Sequence, residues 1–372
     1  MNAKRWALAI ISFAGAIGVS VYMVWTSWPD KRAPVLPLSA HLLALLAAVV
    51  DLLARGAKIQ YSGRALGIPL SLGTGLRTSL GGDFGAGITP ARSGAEPARL
   101  LVLRERGIAM PNVLLLLFSE LFLEMCSLAI VAIVLAALFR ESGKVIGGLV
   151  GLVLAYAGGV LGAGAIAVVL ARRNPAGPPP AWARRVGIHE RRWRGVQRTV
   201  EHVRDSVARM RGAAPRAALA ALGFSTLHVV ARLLVLPALL LPVDRGIELA
   251  PIMLWPLALF YGGVVAPVPA GGGVIEFAFK ATLGNVIPRR IFGAALIWWR
   301  FYTFYINIAV GALVAGGTVM RALREDRGSR NEERGSDRGG PGAERELVPH
   351  PARDPRSAIH DPASGNSSPD RL

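Results

Sequence analysis

Two short polar segments interrupt apolar sequence of membrane-crossing length, and they hold the residues best placed for chemistry. The first is Pro90-Ala91-Arg92-Ser93-Gly94-Ala95-Glu96, followed by Arg99. The second is Pro269-Ala270-Gly271-Gly272-Gly273-Val274-Ile275-Glu276. Each runs Pro-Ala-x-x-Gly and then reaches a Glu, with the matching Pro and Gly offset by 179 positions (269 − 90 and 273 − 94). Backbone that leaves the helix inside hydrocarbon is tolerated only where protein or a water-filled cavity lines it. Charged side chains there need a partner, an anionic or cationic ligand, or water. Two such breaks in corresponding halves are the mark of a transporter-like core built from internal repeats.

The chemistry these residues offer is anion binding. Ser93 or Gly94 is placed to begin a short helix, with Glu96 in its first turn and Arg99 three residues further on. Free amides at such a helix start, beside Arg92 and Arg99, form a cradle for a phosphate. Glu96 then pairs with an Arg when the cradle is empty. The same set serves equally well as a structural ion pair holding a re-entrant hairpin together. In the second break Glu276 has no adjacent Arg, and its expected partner is Arg300, about ten residues into the last helix and so ~15 Å along it. Trp298, Trp299, Tyr302 and Tyr305 surround Arg300, either as an interfacial belt or as faces for the guanidinium or a lipid. Pro90, Gly94, Pro269, Gly271, Gly272 and Gly273 are the expected bends.

A second constellation lies on continuous helices. Glu120 and Glu124 stand at i and i+4, and so do His228 and Arg232. Two intramembrane carboxylates near an imidazole are able to relay protons. A static network with Arg77, Arg92 or Arg99 is the alternative, and static pairing is the preferred reading for Glu124 and Arg232. No nucleotide-phosphate loop, nucleophile elbow, His-Glu-x-x-His or metal-binding Asp cluster occurs, so neither metal nor cofactor is expected.

These residues require an all-α, polytopic membrane bundle to position them. Of 372 residues 52% are hydrophobic, and several apolar runs exceed the ~20 residues needed to cross a bilayer. Crossings are expected at about 6–28, 38–58, 112–139, 145–171, 215–241 and 290–320. Residues 70–108 and 250–287 are expected to enter and leave on one face, from opposite sides, as an inverted repeat requires. A pair of short complete crossings in each region gives the same topology elsewhere. Arg55 and Lys58 are read as the cytoplasmic flank of the second crossing.

The net charge of +18 lies wholly in residues 1–320, which hold 32 Lys and Arg against 14 acids; residues 321–372 hold ten of each sign. Between Arg172 and Arg216 there are twelve Arg and three acids, a net of +9. This is the distribution of cytoplasmic loops, and it argues against a nucleic-acid groove. Domain organisation is therefore a membrane domain over 1–320, with halves at about 38–171 and 217–320 joined by a basic segment at 172–216. Within that segment Trp193, Val196, Val200, Val203, Val207 and Met210 mark one apolar helical face, suited to the anionic lipid surface or to docking a partner. Residues 321–372 are polar and low in aromatics, and are expected to be a disordered cytoplasmic tail. The single cysteine, Cys126, lies in an apolar run and allows no intramolecular disulfide. Both termini are expected in the cytoplasm and the protein in the cytoplasmic (inner) membrane.

At these residues the chain resembles the flippase-like transmembrane family that includes the membrane domain of lysylphosphatidylglycerol synthases. The likeness spans about residues 5–320. It is carried by Leu80 to Glu105 around the first break, by Pro267 to Leu283 around the second, and by Trp299-Arg300-Phe301-Tyr302. The family often has Arg directly after the carboxylate corresponding to Glu120, where this chain has Leu121. The resemblance implies phospholipid translocation. The synthases carry a soluble aminoacyl-transferase domain after the membrane region; here the polar tail stands in its place, and lysyl transfer is not carried over. The expected activity is movement of an anionic phospholipid or isoprenoid-linked lipid between leaflets, with Arg92, Glu96, Arg99, Glu276 and Arg300 as the binding residues. The other readings are a membrane scaffold for a lipid-modifying or glycosyl-transferring enzyme and, after that, an intramembrane transferase.

Overall fold

The computed structural model describes residues 36–89, 92–140, 144–172, 214–262 and 273–318, with a few single positions besides. Pro90, Pro269, Gly271, Gly272, the expected first crossing at 6–28, nearly all of the basic segment and the tail at 321–372 lie outside the described residues.

The described chain is helical, with no strand among the described residues. The helices are α1 (Leu38–Ala65), α2 (Leu72–Gly87), α3 (Ala95–Glu105), α4 (Met110–Leu138), α5 (Lys144–Arg172), α6 (Pro215–Leu240), α7 (Leu249–Gly262), α8 (Val274–Leu283) and α9 (Arg289–Thr318). The helices α4, α6 and α9 are long and apolar enough to cross a membrane. Exposed Leu, Ile, Val and Phe side chains cover α1 and α4. Such a surface is stable against lipid tails and not against water. The protein is a multi-pass membrane protein.

A four-helix unit occurs twice. Helices begin at 38, 72, 95 and 110 in the first half and at 215, 249, 274 and 289 in the second, offsets of 177, 177, 179 and 179. The sequence repeat at the two breaks is thus one part of a repeat in the whole fold. The leading helices of the two units pack against each other antiparallel: Tyr61 stacks on Phe224 with ring centres 5.2 Å apart, and Asp51 meets His228 and Arg232. Rising numbers on α1 meet falling numbers on α6, so one unit is inverted with respect to the other.

The broken regions form helical hairpins. With 16 and 11 residues, α2 and α3 reach ~24 and ~16 Å; with 14 and 10, α7 and α8 reach ~21 and ~15 Å. Each falls short of a ~30 Å hydrocarbon core. The feet of the first hairpin are tied together: Arg77 pairs with Glu105 at 2.8 Å, and both bond to Thr318 at the end of α9. At the tip, Gly94 N–H donates to Thr89 Oγ1 at 2.7 Å, and that hydroxyl donates to Gly85 O at 2.8 Å. Thr89 thus ties the two sides of the turn together, the kind of local bonding that non-helical backbone at this depth requires.

One expectation at the end of α1 is corrected. The helix does not stop near residue 58 but continues to Ala65, and Arg55 and Lys58 are buried, 4% and 1% exposed. They are not a cytoplasmic flank; they belong to the core.

Small residues set the closeness of α1 and α2. A side chain on Gly75 would run into the carbonyl of Gly56, so the two backbones touch. Gly75→Val has to push the helices apart. It is expected to cost about 1–3 kcal/mol and to lower the apparent melting temperature in detergent; an unchanged melting temperature would contradict this packing.

Candidate functional site

Charged side chains buried on α1, α2, α3, α4 and α6 form one belt. On α1, Asp51, Arg55 and Lys58 all face inward. Asp51 Oδ1 takes a hydrogen bond from His228 Nδ1 at 3.0 Å, and its Oδ2 is 3.2 Å from Arg232 Nη2 and 3.5 Å from Arg55 Nε. Arg55 reaches on to Asp83 of α2. One turn further along, Lys58 Nζ stands between Glu120 at 3.1 Å and Glu124 at 3.0 Å. Arg99 of α3 completes the row, 3.3 Å from Glu120 and 3.2 Å from Glu96. Such spacing lets each buried charge see its opposite, the condition for tolerating it in low dielectric.

The belt carries the imprint of the repeat. Asp51 and Arg55 are four apart, as are His228 and Arg232, and each pair member is offset by 177 (228 − 51 and 232 − 55). This is the offset of the two helix starts. Equivalent positions on α1 and α6 therefore face each other across the crossing of the two halves.

The second hairpin has its own buried pair. Gly273 adopts φ = 79°, a left-handed conformation that suits glycine, and starts α8. Its N–H donates to Glu276 Oε2 at 2.8 Å, while Arg300 Nε donates to Glu276 Oε1 at 3.0 Å. The Arg300 guanidinium also lies 4.6 Å from the centre of the Phe304 ring and 5.4 Å from that of Tyr305, distances suited to cation–π attraction. Directly after Arg300 the helix widens into a π turn, Phe301–Tyr305. Such turns are frequent at functional sites because they re-aim side chains along a helix.

Both halves meet at a small cavity of about 20 Å³, lined by Asp83, Arg92, Arg232, Trp299, Arg300 and Asn307 among others. It has room for little more than one water molecule. Three guanidiniums face it, from the first hairpin tip, α6 and α9, together with one carboxylate that already serves Arg55. Arg92 is held at φ = 56°, a left-handed conformation that costs a residue with Cβ about 1–2 kcal/mol. Its backbone is fixed by Ala95 N–H donating to Arg92 O at 3.0 Å. Strain of this kind persists only where the surroundings impose it, often at ligand sites.

Several expectations are met in the geometry. Gly94 starts the helix, Glu96 sits in its first turn, and Arg99 pairs with it. Glu276 pairs with Arg300, and Glu124 and Arg232 both lie in ion-pair networks. Other placements differ from those expected. Arg77 goes to Glu105 and not to Glu120 or Glu124, and Trp298 and Tyr302 contact His41 while Arg300 takes Phe304 and Tyr305. Arg92 and Arg99 do not share one cradle: Arg99 is in the belt and Arg92 at the cavity. The residues missed by sequence reading are Asp51, Arg55, Lys58 and Asp83. The signal for the first two was present, since Asp51-x-x-x-Arg55 matches His228-x-x-x-Arg232 at the repeat offset. Among the described residues no group of His, Cys, Asp or Glu is placed to hold a metal ion.

If the Glu276–Arg300 pair answers its own charges, losing one partner should hurt more than losing both. Glu276→Leu alone takes the carboxylate away from a buried guanidinium and is expected to cost about 3–5 kcal/mol. The double variant Glu276→Leu/Arg300→Leu should recover much of that loss in a thermal-unfolding cycle. Additive losses would show that the two side chains do not act as a pair.

A search of curated proteins finds no match to the chain. Residues 6–311 match the family described as the lysylphosphatidylglycerol synthase TM region. The match covers both helical units, both breaks and the first part of α9 through Gly311. The chain belongs to the lysylphosphatidylglycerol synthase transmembrane-region family.

Proposed function

We propose that the protein moves an anionic, phosphate-bearing lipid (a phospholipid or an isoprenoid-linked lipid) between the leaflets of the cytoplasmic membrane, with both its termini in the cytoplasm. The single observation that supports this most is the convergence of Arg92, Arg232 and Arg300, from both inverted halves, on one cavity. Guanidiniums are matched to phosphate by their planar donor fork. Arg232 and Arg300 already answer Asp51 and Glu276, so a phosphate binds there by taking the place of a carboxylate.

In the conformation described, the cavity is too small for a headgroup. Passage therefore needs one hairpin to move, and the hairpins are the parts of the core that do not cross fully. Glu96 and Glu276 act as competing partners: each holds an arginine until a phosphate takes its place, and each restores the pair once the phosphate leaves. Arg92 and Arg99 serve the approach from the cytoplasmic side and Arg300 the approach from the outer side. Inverted halves suit such alternation, since the same unit faces each leaflet in turn.

A second reading is a membrane partner for a lipid-modifying enzyme. It is supported by the family description, which attaches this region to a synthase. The basic helix expected around residues 184–211 would then be the docking surface.

The test is leaflet exchange of a fluorescent phosphatidylglycerol in liposomes holding purified protein. Arg300→Ala and Arg99→Ala are each expected to slow exchange at least tenfold while the protein stays monodisperse, with Arg300→Lys intermediate because it keeps the charge but loses the fork. Wild-type rates in both alanine variants would sink the assignment. No exchange by well-folded wild type would favour the partner role.

A further inference from the structure

Asp51 touches both an imidazole and a guanidinium of the central cavity. Its Oδ1 accepts from His228 Nδ1 at 3.0 Å and its Oδ2 accepts from Arg232 Nη2 at 3.2 Å. His228 is 2% exposed, and its other ring nitrogen, Nε2, has no hydrogen-bond partner among the described residues. That nitrogen faces Glu124 Oε1 at 4.0 Å. The groups around the ring are thus Asp51 and Lys58 from α1, Glu124 from α4, and Arg232 of its own helix, with Arg55 behind Asp51. An imidazole held between two carboxylates, one bonded and one within a small shift of bonding, is built to take a second proton.

We infer that His228 binds a coupling proton, and that this proton and the anionic headgroup strengthen each other's binding through Asp51. The inference rests on the reading of the arginine cavity as the headgroup site.

The proton's route follows from exposure. The Glu124 side chain is 23% exposed while that of His228 is 2% exposed, so Glu124 is the more accessible of the two. A proton taken up on the Glu124 carboxylate passes to His228 Nε2: an O–H bond breaks, an N–H bond forms, and the imidazolium then donates to Asp51 and to Glu124. Closing the 4.0 Å gap to hydrogen-bond length needs a movement of roughly 1 Å.

The coupling follows from the shared carboxylate. An anion in the cavity draws Arg232 away from Asp51 Oδ2, and a proton on His228 supplies Asp51 with a replacement cation. Conversely, a charged His228 frees Arg232 for the anion. Linkage of this kind is reciprocal. The imidazole is the side chain whose ordinary titration falls between pH 5 and 8, so a physiological proton gradient would bias the occupancy of the cavity and could drive net movement of lipid.

The experiment is proton uptake on ligand binding. Short-chain phosphatidylglycerol, whose phosphodiester does not titrate near neutrality, is added to full-length protein in weakly buffered detergent at about pH 6.5 with an indicator dye. Uptake approaching one proton per anion bound is expected for wild type, and none for His228→Gln at equal anion occupancy. Binding without uptake in wild type, or uptake unchanged in His228→Gln, overturns the coupling and leaves the headgroup site standing. No binding of the probe at any pH overturns both. Should His228→Gln fail to fold, wild-type liposomes supply the second readout: a pH gradient should speed exchange in one direction several-fold, and equal rates with and without the gradient overturn the coupling.

Discussion

A charge carried into a bilayer must be answered by another charge or by water, and in this protein that requirement organises the core. Asp51, Arg55, Lys58, Asp83, Arg99, Glu120, Glu124, His228 and Arg232 come from five helices and form two contact groups, one around Asp51 and Arg55 and one around Lys58, which approach each other at His228 and Glu124, 4.0 Å apart. Removing a member takes a partner from charges held in low dielectric, which costs more than the pair gives. The belt is therefore weak evidence of extra stability and strong evidence of a constrained arrangement. It dictates which faces of α1, α4 and α6 point inward, and the apolar clusters fill the space on either side.

The inverted repeat explains how such a belt is built from one chain. Duplicating a helix that carries two polar residues at i and i+4, and packing the copies antiparallel, brings the polar positions face to face. Asp51 and Arg55 on one copy meet His228 and Arg232 on the other. The two halves differ in charge: the first hairpin holds Glu96 beside Arg99, whereas the second reaches from Glu276 to Arg300 on the following helix. The result is two arginine–glutamate pairs of different connectivity, of which Arg300 lines the cavity and Arg99 belongs to the belt.

How much of this was legible in the sequence depends on the residue type. Gly and Pro inside apolar runs announce a break without reference to partners, so both hairpins and the helix start at Ser93 or Gly94 could be read directly. The Glu276–Arg300 pair was readable because few other charges are near enough. Arg55 and Lys58 were not, because a basic residue near the end of an apolar run looks the same whether it flanks the membrane or turns inward. Composition places it at the surface; only the continuation of α1 to Ala65 and the carboxylates opposite place it in the core. Asp83 was missed for a similar reason, since its partner Arg55 had already been assigned elsewhere. The separation of Arg92 from Arg99 depends on a left-handed residue at the hairpin tip, which spacing alone does not reveal.

The central claim is that a lipid phosphate takes the place of carboxylates at the arginines of the cavity. A structure of the protein in nanodiscs rich in phosphatidylglycerol tests it most directly. The account predicts a phosphate within hydrogen-bond distance of at least two of Arg92, Arg232 and Arg300, with the Glu276–Arg300 bond broken and one hairpin displaced. Lipid confined to the outer surface, with the cavity closed and both glutamate–arginine pairs intact, would contradict it.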